Sequence, residues 1–229
     1  MNRLVKLIGY NPKGFIPANA EFTILDELQT ADTHDGYFIP RYSAVNTGNV
    51  DDDGKPVYYS FKNDFILGQN DFYNYASNGV DFSAYKTVLY NGIWKLYPTI
   101  FTADGSNYET FVLDGIESNN ETGKHAAHGF IDVYVQRGES DFIQYYGLTD
   151  EIFLNTENKY GADGISIYGN NESDLYYSIR LNENKVYEIK FGNNRQSRPL
   201  QKNDKLYIFY LDSNATKTDL TLGQVGEQT

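Results

Sequence analysis

The stretch from residue 186 to residue 211 reads V-Y-E-I-K-F-G-N-N-R-Q-S-R-P-L-Q-K-N-D-K-L-Y-I-F-Y-L, and its two arms decide the fold class. Val186, Glu188 and Lys190 alternate with Tyr187, Ile189 and Phe191, the period-two pattern of a half-buried strand. Leu206, Ile208 and Tyr210 alternate with Tyr207, Phe209 and Leu211 in a run apolar on both sides, which predicts a strand covered on each face. Gly192, Asn193 and Asn194 tolerate positive φ and open a turn. Pro199 cannot donate to a ladder, so residues 195–205 form an excursion between two strands. Arg195, Arg198, Lys202 and Lys205 make that excursion basic in an otherwise acidic chain. It is therefore the candidate interface, expected to be exposed and suited to an acidic protein neighbour rather than to phosphate.

Composition narrows the classes. The 229 residues are enough for one large or two small domains. Tyrosine and phenylalanine number 21 and 14, against one methionine and one tryptophan, and such an aromatic bias favours pleated sheet, where rings pack well. A formal net charge of -12 argues against binding to nucleic acid or to an anionic membrane surface. Without cysteine the chain has no disulfide and no thiolate metal site. No run approaches the length of a transmembrane helix, and residues 1–6 lack the apolar core of a signal peptide.

Residues 2–10 place Leu4, Leu7 and Ile8 on one helical face, and Gly9 and Pro12 stop the helix after about two turns. Strands are expected at 21–25, 36–42 (with Pro40 at an edge), 57–62 and 85–90, with a polar turn over 46–56 and an irregular stretch over 63–83. Further on, 94–101, 109–113, 130–135, 151–155, 164–168 and 175–181 read as short strands separated by Gly/Asn/Asp clusters. That rhythm predicts a mainly β chain: an antiparallel β-sandwich or barrel-like domain with a second β domain inserted and a short N-terminal helix. The expected division is a helical lead-in and connector over 1–20, an outer β domain over 21–92 plus 185–229, and an inserted β domain over 93–184.

The stretch at 191–210 resembles a known family. F-G-x-x-x-x-x-R-P-L-x-x-x-D-x-L-x-I-x-Y is similar to a segment of the J-like baseplate wedge proteins of contractile-tailed bacteriophages, with Phe191, Gly192, Leu200 and Tyr210 in register. Asn193, Asn194 and the pair Asn203-Asp204 stand where that pattern has Asp, Gly and a Gly-Asp turn. A second segment, L-I-G-Y-N-P-K-G-F-I-P-A-N-A, resembles the family's passage from helix to β region through Leu7, Gly9, Tyr10, Pro12, Ala18 and Ala20. Ile39-Pro40, the L-Y-N-G at 89–92 and the later F-V-L-D-G extend the likeness over most of the chain. The resemblance implies a structural virion protein of the tail baseplate, assembled in the host cytoplasm. Its partners would be other wedge subunits and copies of itself, with no enzymatic activity and no cofactor. It also implies that the chain matches only the middle of such subunits. Together with the unpartnered face of Leu4, Leu7 and Ile8, this gives the expectation of a piece of a longer polypeptide.

Chemical motifs are weak beside this. Residues 49–54, N-V-D-D-D-G, match the start of a calcium loop, but position twelve is Ser60 instead of a bidentate Glu, so a solvated acidic turn is expected. His125 and His128 are three apart with Glu121 as a distant third ligand, and a surface loop is the expected reading. There is no G-x-S-x-G, His34 lies in a polar turn, and residues 161–164 lack the Lys-Ser/Thr of a phosphate loop. No catalytic, cofactor or metal residue is assigned. Abundant Tyr, Asn and Asp also suit a β-sandwich carbohydrate-binding or adhesin module, which is the alternative reading. Paired carboxylates of a glycosidase are spatial rather than sequential, and an acidic chain leaves that third reading open.

Overall fold

Rings this abundant are buried most readily between pleated sheets, and the computed structural model of the chain is accordingly mainly β. It describes residues 16–23, 37–51, 53–67, 86–117, 126–139, 142–148, 175–182, 184, 186–192 and 198–213. Among them there is no helix, and several sheets are antiparallel, as expected. The N-terminal helix at 2–10 and the strands expected at 151–155 and 164–168 lie outside the described residues. The chain divides into two compact units, one comprising Pro17–Trp94 with Ser213–Thr229 and the other Lys95–Asp212 with Met1–Ile16.

The first unit holds β1 (Asn19–Thr23), β2 (Tyr37–Ile39), β3 (Ala44–Val50), β4 (Pro56–Ser60), β5 (Phe65–Leu67) and β6 (Lys86–Asn91). Four of them form an antiparallel sheet in the order β1-β6-β4-β3, while β2 and β5 pair as a ribbon. Val57, Tyr59, Phe61 and Leu89 make its core, with Phe22, Ile39, Val45 and Phe65 packed around them. Strand β3 falls largely within the polar turn expected at 46–56. Its inward residue is Thr47, whose hydroxyl donates to the Val57 carbonyl at 3.0 Å, and a register shift between Asn46 and Val50 accommodates Gly48 at φ +75°. A hydroxyl thus does at Thr47 what an aliphatic side chain usually does, which hides the strand from a reading of hydrophobic periodicity.

The second unit is built on one large sheet. Its strands are β7 (Ile93–Leu96, of which only the last two residues fall in this unit), β8 (Phe101–Thr102), β9 (Thr110–Glu117), β10 (Ala126–Gln136), β11 (Phe142–Leu148), β12 (Tyr176–Leu181), β13 (Val186–Lys190) and β14 (Lys205–Asp212). The order is β7-β14-β10-β11-β12-β13-β9, with β8 also on β14, and the β11–β12 pair is parallel. Alternate residues point to a single core: Ile131, Val133 and Val135 from β10, Tyr187 and Ile189 from β13, and Leu206, Ile208 and Tyr210 from β14. Each such aliphatic side chain, fully buried, contributes about 1.5–3 kcal/mol of transfer free energy. The sheet rolls up on this core. Tyr97, just after β7, donates its hydroxyl to the Asp114 carbonyl of β9 at 2.9 Å, and the rings of Phe101 and Phe111 lie 5.1 Å apart.

One expectation changes here. The two arms of the 186–211 stretch occupy separate places in the sheet, β13 between β12 and β9 and β14 between β10 and β7. Both belong to the sheet of 95–212, so the grouping of 185–229 with 21–92 is corrected: the return to the first unit comes at Ser213 rather than at 185. The reason is burial, since Leu206, Ile208, Tyr187 and Ile189 fill the core shared with β9 and β10. The chain passes from the first unit to the second at 94–95 and back at 212–213. Within the second unit the two passages are tied by an ion pair between Lys95 and Asp212, and within the first by Ser213 Oγ on Asn91 Oδ1 at 3.0 Å. The surface loop expected at 118–129 is also shortened, since β10 begins at Ala126 with Ala126 and Ala127 buried.

Strand β11, F-I-Q-Y-Y-G-L, had no sequence expectation, and Gly147 explains both that and its place in the fold. Gly147 pairs with Tyr177, and a Cβ at Gly147 would lie 3.1 Å from the Tyr177 hydroxyl oxygen. Tyr177 is buried and donates that hydroxyl to the Ile131 carbonyl. Phe191 sits among three aromatic rings, with centroids of Tyr145, Phe111 and Tyr177 at 5.4, 6.0 and 6.3 Å.

Desolvation pushes the Tyr177 and Tyr187 hydroxyls well above the ordinary tyrosine range. A raised folded value means a stabilising contribution that is complete below the unfolded tyrosine value of about 10 and lost as the pH climbs towards the folded value. Base-induced unfolding is therefore expected to begin above about pH 10, with tyrosinate absorbance rising in the same cooperative step as the loss of β circular dichroism. Tyr187→Phe should lower the pH-slope of that transition by about one proton. Gradual ionisation of all tyrosines with the β signal intact would contradict this.

Candidate interface at the 192–205 loop

The loop is anchored at both ends by backbone. Phe191 N–H donates to the Glu109 carbonyl at 3.0 Å, and Tyr108 N–H donates to the Gly192 carbonyl at 3.2 Å. Leu200 is buried in the core. The last turn, 201–204, closes through Asp204 N–H on the Gln201 carbonyl and Gln201 N–H on the Asp204 carboxylate, at 3.0 and 2.8 Å. Asn203 has φ +71°, a left-handed conformation that glycine adopts freely and asparagine tolerates better than most residues.

A second turn packs on the first. Asn203 N–H donates to the Ala103 carbonyl and Ala103 N–H donates to the Asp204 carbonyl, at 2.9 and 2.8 Å. Gly105 has φ +83°, and a Cβ there would stand 2.7 Å from the Lys202 backbone nitrogen, so the approach of the two turns requires glycine. Glu109 accepts from the Asp104 and Gly105 amides at 2.8 and 3.3 Å. The Asp104 carboxyl, bonded to Ser106, is held below the usual carboxylate range.

Beneath both turns lies an ion pair that the sequence analysis did not identify. Asp204 is 1% exposed, and Arg137, at the end of β10, grips it with two parallel bonds, Nε to Oδ1 at 2.9 Å and Nη2 to Oδ2 at 2.7 Å. The carboxylate in turn holds the Arg137 guanidinium above its ordinary value. Sixty-seven residues separate the partners. The available signal was an aspartate directly before a strand apolar on both faces, a position at which a charge needs a partner.

The predicted interface residues separate into three cases. Arg195 lies outside the described residues. Arg198 is half-buried, and its charge works with that of Arg137 against the burial that raises the Tyr145 hydroxyl. Lys202 and Lys205 are exposed on the turn and at the start of β14. Arg41, Lys55, Lys86, Lys95, Arg137 and Arg180 all face a carboxylate, and Lys190 sits 4.7 Å over the Tyr108 ring. Lys202 and Lys205 form no ion pair among the described residues.

The remaining motifs resolve structurally. Asp51 turns its carboxylate onto the Asp53 and Lys55 amides at 3.0 and 2.8 Å, closing the β3–β4 hairpin, and Ser60 donates to the Gly92 carbonyl at 2.7 Å. His128 is in β10 with its ring stacked on Tyr187, while His34, Glu121, His125 and 161–164 lie outside the described residues. Among the described residues no three His, Asp or Glu side chains are placed to hold a metal ion. A depression of about 180 Å³ in the first unit is lined by Lys62, Asp64, Thr87 and Tyr90 among others. Its Asp64 carboxyl is committed to the Arg41 amide at 2.8 Å, which holds it below the usual range. Comparison of the chain with protein families, with curated proteins and with solved structures finds no match in any of the three.

Removing one partner of a buried pair leaves the other charge uncompensated. Arg137→Ala is expected to destabilise the protein by about 3–5 kcal/mol in urea unfolding. Adding Asp204→Asn, which keeps an acceptor for the Gln201 amide without the charge, should recover part of that loss. A loss below about 1 kcal/mol in the single variant would show the pair to be no stronger than a surface one.

Proposed function

We propose that this chain is a structural component of a phage contractile-tail baseplate, a wedge subunit or part of one, that makes protein–protein contacts in the baseplate ring. The observation that carries the reading is the 191–210 segment. The residues that give it its likeness to J-like wedge proteins include Phe191 and Leu200 in the core, and the turn after Leu200 and the start of β14 offer Lys202 and Lys205 without intramolecular counter-charges among the described residues. An acidic face of another wedge subunit, or of a second copy of this chain, complements such a turn. The protein on this reading is a virion component that performs no chemistry and needs no cofactor. The double variant Lys202→Glu/Lys205→Glu is expected to keep its circular dichroism and thermal midpoint while its assembly with wedge partners falls at least tenfold. An unchanged assembly yield removes the turn from the interface, and tail particles lacking the chain in immunoelectron microscopy would defeat the wedge reading itself.

One observation favours the alternative, a carbohydrate-binding or adhesin module. The outer face of β14, β10 and β11 carries Tyr207, Tyr134, Phe209 and Phe142 in edge-to-face pairs 5.0 and 5.7 Å apart, with the Tyr207 hydroxyl on Gln136. Phe142 is 52% exposed, and rings beside amides suit the apolar faces and hydroxyls of a sugar. A glycan array decides between the readings. The wedge reading expects no glycan bound, whereas binding abolished by Phe142→Ala would establish the alternative.

A further inference from the structure

We draw no further inference here: the strongest candidate, the outward apolar pair Phe38 and Ile66 on the β2–β5 ribbon, is an exposed patch at 62% and 71% exposure, and nothing in the structure shows what covers it.

Discussion

The Arg137–Asp204 pair is the constraint on which the loop end of the second unit depends. A carboxylate 1% exposed is tolerable only because a guanidinium meets both of its oxygens and a backbone amide a third lone pair. Such a pair gains little net free energy over an apolar replacement, since desolvation offsets most of the attraction. Its effect here is positional. With Asp204 fixed, the 201–204 turn has one geometry, the Ala103 and Gly105 turn fits against it, and β14 starts in register with Gln136 of β10. Lys202 then projects from a turn whose backbone is fixed by bonds on both sides.

The core solves a related problem with tyrosine. Leucine would fill the same space without a polar atom, yet Tyr97, Tyr145, Tyr177, Tyr187 and Tyr210 are all buried. Two of them donate to backbone carbonyls on another strand, Tyr97 to Asp114 and Tyr177 to Ile131, while the Tyr187 hydroxyl meets His128 Nδ1 at 3.5 Å. A slipped register would move such an acceptor away and strand a buried hydroxyl, at a cost of about 1–3 kcal/mol each. Tyrosine therefore specifies the roll of the sheet as well as filling it, and the close fit over Gly147 shows how little slack remains.

The sequence disclosed what is local. Alternation at β4, β6, β10, β12, β13 and β14 is visible because large apolar side chains mark the inward face. Strand β3 was hidden because Thr47 supplies the inward contact through a hydroxyl, and β11 because Gly147 interrupts the pattern. The pairing of β13 with β9 and of β14 with β10 is a non-local choice, which a hydrophobic pattern does not encode. The same limit explains the candidate site. A run of cations is legible along the chain, but Arg137 reaches Asp204 only after folding, and only the folded arrangement distinguishes the exposed Lys202 and Lys205 from the half-buried Arg198.

The position of β14 also orders events on the ribosome. Every described strand of the first unit is synthesised before residue 92, so its sheet can form while the rest of the chain is still being made. The second unit has no such freedom. Its roll rests on β14 lying between β10 and β7, with Leu206 opposite Phe101, and these contacts join residues at opposite ends of the unit. Until synthesis reaches Asp212, Phe101, Val133 and Val135 lack the strand that covers them. Loop-closure entropy slows that final docking, and in the interval the net negative charge of the chain opposes its self-association.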